Sequence, residues 1–150
     1  MFFLLSKLTV LAFAVASGFV GAALYINLVE QPARLALGPR AMLKEWVRSN
    51  RRGFIVLSIM AIVSALLACT EFGRTGDVRL LFGATIIATI LPYAYFVVVP
   101  VNVWLCAVPP EAAPSIARDL MRKWGLAEWG QTAIGLAACG VLCWVLAEPA

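Results

Sequence analysis

The sequence predicts an all-α fold: a four-transmembrane-helix bundle of up-down-up-down topology, with a short amphipathic surface helix after helix 1. Three observations predict it. The composition is 63% hydrophobic and 13% charged, where a soluble domain carries about 25% charge. Charged residues are missing from positions 8–29, 53–70, 80–110 and 129–147, runs of 22, 18, 31 and 19 residues. A bilayer's hydrocarbon core is about 30 Å thick, and a helix crosses it in roughly 20 residues. The four runs are also apolar nearly all round, whereas the helices of a soluble bundle keep a polar face. The chain therefore reads as a single integral membrane domain, 1–150, with helices at about 3–29, 53–71, 79–107 and 127–147.

Helix 1 is expected to remain as a span. Met1 to Ser6 carries no Lys or Arg, and the apolar run continues to Val29, longer than the h-region of a signal peptide. Pro32 is expected to end it, because proline lacks an N–H and disfavours helix at the residue before it. Pro39 suits the first turn of a new helix. From there Arg40, Lys44, Arg48 and Arg51 share one face, while Leu43, Trp46 and Val47 share another. That pattern describes a helix lying on the membrane surface with its bases toward anionic lipid.

Helix 2 ends at a tight outer turn around Gly73 to Gly76. Helix 3 contains Pro92, which is expected to kink it. Pro109 and Pro110 make a turn, Ser115 is a candidate N-cap for a short helix, and helix 4 follows. Helices in lipid associate through small residues. Ala14, Gly18 and Ala22 on helix 1, and Gly130, Ala133 and Ala137 on helix 4, mark these two as the intimate pair or as a homo-oligomer seam. Trp46, Trp124 and Trp129 fit an interfacial aromatic belt.

Of the 12 Lys and Arg residues, nine lie in the connections joining helices 1 to 2 and 3 to 4. Short basic loops stay cytoplasmic, so both termini are expected on the non-cytoplasmic side. The net charge of +4 points to anionic lipid near Arg40, Lys44, Arg48 and Arg51 and not to nucleic acid. No histidine is present, and the four cysteines form no C-x-x-C pair. No metal site and no cofactor is expected.

Most polar residues within the spans gather at the basic end. Helix 1 supplies Tyr25, Asn27 and Glu30, followed by Arg34. Helix 3 supplies Asn102. Helix 4 supplies Trp124, Glu128 and Gln131 on one face. Polar groups at depth must pair or face the interior, so these are expected to surround a small polar pocket. Each also has a structural role open to it. Glu128 suits the positive end of the helix 4 dipole, Glu30 and Arg34 can pair with each other, and Asn102 can bond a neighbouring backbone.

The segment Gly18-x-x-Gly21 leading to Tyr25-Ile26-Asn27-Leu28-Val29-Glu30-Gln31-Pro32-Ala33-Arg34 is distinctive. So are Pro92, Val99-Pro100-Val101-Asn102 and Lys123-Trp124-Gly125-Leu126. In these elements the chain resembles a small four-helix integral membrane family of uncharacterised function that includes the fungal anthrone oxygenases. Relatives often carry His before the Pro-Ala-Arg element, where this chain has Gln31. They often read Pro-Thr-Asn-Lys, where it has Pro100-Val101-Asn102-Val103. They often place His and Arg at the start of helix 4, where it has Glu128 and Gln131.

Two functions follow. The favoured one is non-enzymatic: a membrane subunit, an assembly factor or a lipid-binding module, consistent with the small-residue seams and the missing reactive groups. The alternative, implied by the resemblance, is a cofactor-independent oxygenase acting on a lipophilic aromatic such as an anthrone. Glu128 or Glu30 would then be the catalytic base. Asn102, Gln131 or Arg34 would hold the oxyanion. Trp124 and Tyr25 would line the ring pocket, with Asn27 among the binding residues.

Overall fold

The computed structural model of the chain describes residues 7–109 and 114–148. Four of its helices are long and apolar enough to cross a membrane: Lys7–Ala36, Pro39–Thr75, Val78–Cys106 and Ser115–Ala147, the last beginning its helical turn at Pro114. They are numbered helices 1 to 4 below. Their outward surfaces carry large apolar side chains, among them Leu66, Phe82 and Phe96. Such an exterior is stable only when lipid and not water surrounds it.

Helix 1 packs on helices 2 and 4, and helix 3 packs on the same two. Along helices 1 and 2 the contacts run in opposite order. Ser64 donates to the carbonyl of Ala12 at 2.9 Å, while Arg34 reaches Ser49. The main core joins Ala12, Ala16, Phe19 and Ala23 to Ala61, Ala68, Ile87, Ala138 and Leu142. Helices 1 and 4 do meet closely, but on a different face from the expected one. Ala14 and Gly18 are exposed, as are Ala133 and Ala137. The contact is made at Gly135, where a Cβ would stand 2.8 Å from the Phe19 ring. An aromatic ring lies against a glycine, so the backbones approach where only one side of the seam is small.

Helix 2 departs most from the sequence reading. The segment expected as a separate surface helix is continuous with the span. Pro39 opens it in the first turn, and the helix runs 37 residues to Thr75. Its buried positions, Met42, Trp46, Leu57, Ala61, Ser64, Ala68 and Glu71, keep one helical face across Gly53. Gly76 then ends the helix in a left-handed conformation, φ 74°, with its N–H on Phe72, a conformation that glycine adopts without a Cβ penalty. Helix 4 is likewise one piece. Ser115 lies inside it rather than capping a short helix, and the turn expected at Pro110 lies outside the described residues.

Pro32 does not end helix 1. A π-helical turn at Ile26–Glu30 precedes it, and the α-helix resumes at Gln31, placing Pro32 in a first turn where its missing N–H costs nothing. Helix 3 repeats the device with a π turn at Ala94–Val98 before Pro100. The break caused by Pro92 falls at Thr89, between Val78–Ala88 and Ile90–Tyr93. The Thr89 hydroxyl donates to the carbonyl of Ile86 at 2.6 Å.

Candidate functional site

The π turn of helix 1 sets the site's geometry. It brings Asn27, Gln31 and Arg34 to the inner face, where all three are buried. Asn27 Nδ2 donates to Thr132 Oγ1 at 2.8 Å, and Thr132 Oγ1 donates to the Glu128 carbonyl at 3.1 Å. Gln31 Nε2 donates to the carbonyl of Met121 at 2.6 Å. Arg118 on helix 4 reaches back to the carbonyls of Leu35 and Leu37. The end of helix 1 is thus tied to the start of helix 4, with Arg118 occupying backbone acceptors left free at the helix 1 terminus.

Arg34 is the centre of the cluster and is 3% exposed. Its Nε donates to Glu45 Oε2 at 2.6 Å. Its Nη2 donates to Ser49 Oγ at 2.8 Å and to the Glu30 carboxylate, so the expected Glu30–Arg34 pair forms. Its Nη1 is buried and has no partner among the described residues. The guanidinium carbon stands 5.3 Å from the centre of the Trp124 ring, within the range of a cation–π contact. Trp124 meets Trp46 edge-on, centroids 6.0 Å apart at 81°.

These two tryptophans are 2% and 1% exposed, so the belt expectation fails for both. They form the floor of a second, smaller core with Met42, Val98 and Met121. Trp129 is the member of the expected belt that does face outward.

Beside Arg34 lies a hollow of about 720 Å³ between helices 1, 2 and 4. Five of the sequence-derived candidates line it: Glu30, Arg34, Trp124, Glu128 and Gln131. Glu128 is 4% exposed. Its carboxylate interacts with the side chain of Gln131 and lies in the field of Arg34. Apolar walls come from Ile26, Phe54 and Leu57.

The other three candidates are not at the hollow. Asn27 is buried next to it on Thr132. Tyr25 is 55% exposed on the outer surface, because the inner face of helix 1 passes through Ala23 and Asn27. Asn102 is on helix 3, which contributes nothing to the lining, and its Oδ1 has no partner among the described residues.

The site also contains residues that the sequence reading missed: Glu45 and Ser49, which complete the coordination of Arg34, and Arg52 of the lining; Lys44 and Arg48, expected to face anionic lipid, line the hollow as well. Their signal was the register of helix 2. Met42, Trp46 and Ser49 continue the face of Leu57 and Ala61 once Gly53 is read as helical. Among the described residues no group of three or more His, Cys, Asp or Glu is placed to hold a metal ion.

Chemically the hollow offers a buried carboxylate at Glu128, a buried guanidinium, an indole face and an aliphatic wall. Such a set can receive a flat, largely apolar molecule, accept a proton from it and stabilise an oxygen on which negative charge develops.

No curated protein and no solved structure gives a significant match to the chain. The profile of the anthrone oxygenase family matches residues 44–141, from the second turn of helix 2 into helix 4. The matched region includes Glu45, Ser49, Trp124, Glu128 and Gln131 and leaves out helix 1. With most of its length covered by that match, this four-span chain belongs to the anthrone oxygenase family.

Proposed function

We propose that the chain is a membrane-embedded oxygenase that takes a lipophilic, weakly acidic aromatic of the anthrone type into the hollow beside Arg34 and Glu128. The observation that carries this reading is one juxtaposition. Two groups of opposite charge, 4% and 3% exposed, line a cavity of about 720 Å³ together with an indole ring. A purely structural role for either group has no need of a hollow beside it.

The chemistry balances without a metal. Glu128 removes a proton from the benzylic CH2, and the electron pair moves onto the ring ketone as an enolate. The positive charge of the Arg34 guanidinium stabilises that oxygen. The carbanion passes one electron to dioxygen, the radical pair combines into a C–O bond, and the peroxide takes up a proton. Loss of water from the hydroperoxide leaves the new carbonyl, so one dioxygen yields one quinone and one water. Trp124 stacks on the rings, and Gln131 orients the Glu128 carboxylate.

The protein sits as one integral membrane domain whose helices pass up and down the bilayer. The hollow faces the cytoplasm, since nine of the 12 bases lie at that end. Both termini are then on the opposite side, which reporter fusions at the C-terminus test.

The direct assay is purified protein in neutral-lipid nanodiscs with an anthrone, following dioxygen uptake and quinone absorbance against empty discs. Glu128→Gln is expected to lower the protein-dependent rate by about a hundredfold. A rate unchanged by this substitution removes Glu128 from the role.

The second reading is the non-enzymatic subunit, assembly or lipid-binding role. It is favoured by the exposed small-residue stripe of Ala133, Ala137 and Gly140 on helix 4, a surface suited to close packing with a second membrane helix. A stoichiometric partner protein in native-membrane preparations, with no oxygen uptake, would decide for it.

A further inference from the structure

We infer that the hollow is built for an amphiphilic anion, its apolar body lying on Trp124 and Phe54 and its ionised group held at the mouth by Lys44, Arg48 and Arg52. This rests on reading the hollow as the ligand site and adds the charge of the ligand.

The three cations recur every four residues on helix 2, so they form one stripe about 12 Å long at 1.5 Å per residue. All three line the hollow and are exposed. None forms an ion pair among the described residues, although Glu30, Glu45 and Glu128 line the same hollow. Glu30 and Glu45 are held by Arg34. Arg34 thus takes up the charge of these two acids, while the exposed, unpaired bases of the stripe stand at the rim.

A neutral ligand makes no use of such a rim, and a cationic one is repelled by it. An anion gains attraction to the stripe, which leaves its apolar body to Trp124 and Phe54. The position on helix 2 fits as well. A segment carrying Arg40, Lys44, Glu45, Arg48, Arg51 and Arg52 cannot sit in hydrocarbon, so the mouth stands at headgroup level. An amphiphile partitioned into the membrane presents its ionised end at that same depth. The ligand is either a soluble aromatic acid or a membrane lipid with an anionic headgroup.

The test is binding of anthracene-2-carboxylate and of its neutral analogue anthracene-2-carboxamide to the full chain in phosphatidylcholine nanodiscs, read by tryptophan quenching against empty discs. The carboxylate is expected to bind about tenfold more tightly than the amide. The ratio is expected to fall toward one in the Lys44→Gln, Arg48→Gln, Arg52→Gln triple variant, and to shrink in the wild type as salt is raised. The salt series keeps the question answerable even where the variant folds poorly.

Equal binding of both probes to the wild type overturns the inference while leaving the hollow as a ligand site. A preference that survives the triple substitution also overturns it. Binding of neither probe ends both this inference and the reading of the hollow on which it rests. Repeating the titration with phosphatidylglycerol in the discs separates the two sources, with the triple variant correcting for the membrane's own potential. Carboxylate binding that is lost there identifies a lipid headgroup as the natural anion. Binding that persists identifies an aromatic acid.

Discussion

Replacing Arg34 by Met tests whether the cluster at the basic end holds the bundle together. Methionine keeps the unbranched stem beside Trp124 and removes the charge. Three side-chain bonds disappear, to Glu30, Glu45 and Ser49. Removing one partner of a fully buried ion pair costs about 3–5 kcal/mol, because the other charge is left without compensation. Here the stranded carboxylates keep 33% and 42% of their side-chain surface exposed. They can hydrate in place, which brings the expected loss to about 2–3 kcal/mol. Unfolding in mild detergent is read by tryptophan fluorescence, since Trp46 and Trp124 stand beside the substitution. Glu45→Gln in the Met background is expected to cost less than in the wild type, with a coupling of about 1–2 kcal/mol. If the two losses add within about 0.5 kcal/mol, the Arg34–Glu45 contact carries no energy and the account of the cluster is wrong.

Gly135→Val drives a side chain into the Phe19 ring and Val20, which stand 2.8 and 3.1 Å from a Cβ at that position, and is expected to destabilise by about 1–3 kcal/mol; Gly140→Ala meets nothing within 4 Å and serves as the control in the same melt. At the opposite end Asp77 caps helix 3 by accepting from the Arg79 N–H at 3.0 Å, so Asp77→Ala should cost about 1 kcal/mol at neutral pH. The Arg79 guanidinium beside Asp77 holds its carboxyl below the usual carboxylate range. Its contribution is therefore complete above the unfolded value of about 4 and is lost as the pH falls through the lower folded value. The stability gap between wild type and Asp77→Ala should close on acidification, and a gap independent of pH contradicts this.

Hydrophobic length made the four spans legible, because lipid imposes a crossing distance that composition must meet. The helix bounds were less so. Pro32 reads as a stop and Pro92 as a kink, yet Pro32, like Pro100, follows a π turn that shifts the ladder and lets the helix continue. A π turn has no composition of its own, so nothing local announces it. The gathering of Glu30, Arg34, Trp124, Glu128 and Gln131 was visible because the topology levels those helix ends. Tyr25 shares that end but not the inner face, which passes through Ala23 and Asn27. Trp46 and Trp124 fit a belt by sequence because an indole at headgroup level suits either a belt or a buried contact, and only the facing helix decides which.

The continuity of helix 2 through Gly53 is what places Glu45 and Ser49 on Arg34, and it can be tested at that residue. A Cβ at Gly53 meets nothing within 4 Å, so alanine fits and removes the entropy that glycine loses in a helix interior. Gly53→Ala is expected to stabilise the chain by up to about 1 kcal/mol and to leave the site intact. Gly53→Pro removes an N–H from the ladder and sets a ring against the carbonyl of Ser49, costing about 3 kcal/mol or more. It also frees the first turns of helix 2 to swing away from Arg34, taking Trp46 from Trp124. The near-ultraviolet dichroism of that tryptophan pair should weaken in the proline variant and persist in the alanine one. A proline variant that keeps the tryptophan signal would mean that Met42, Trp46 and Met121 hold this segment by packing alone, as a separate surface helix would be held.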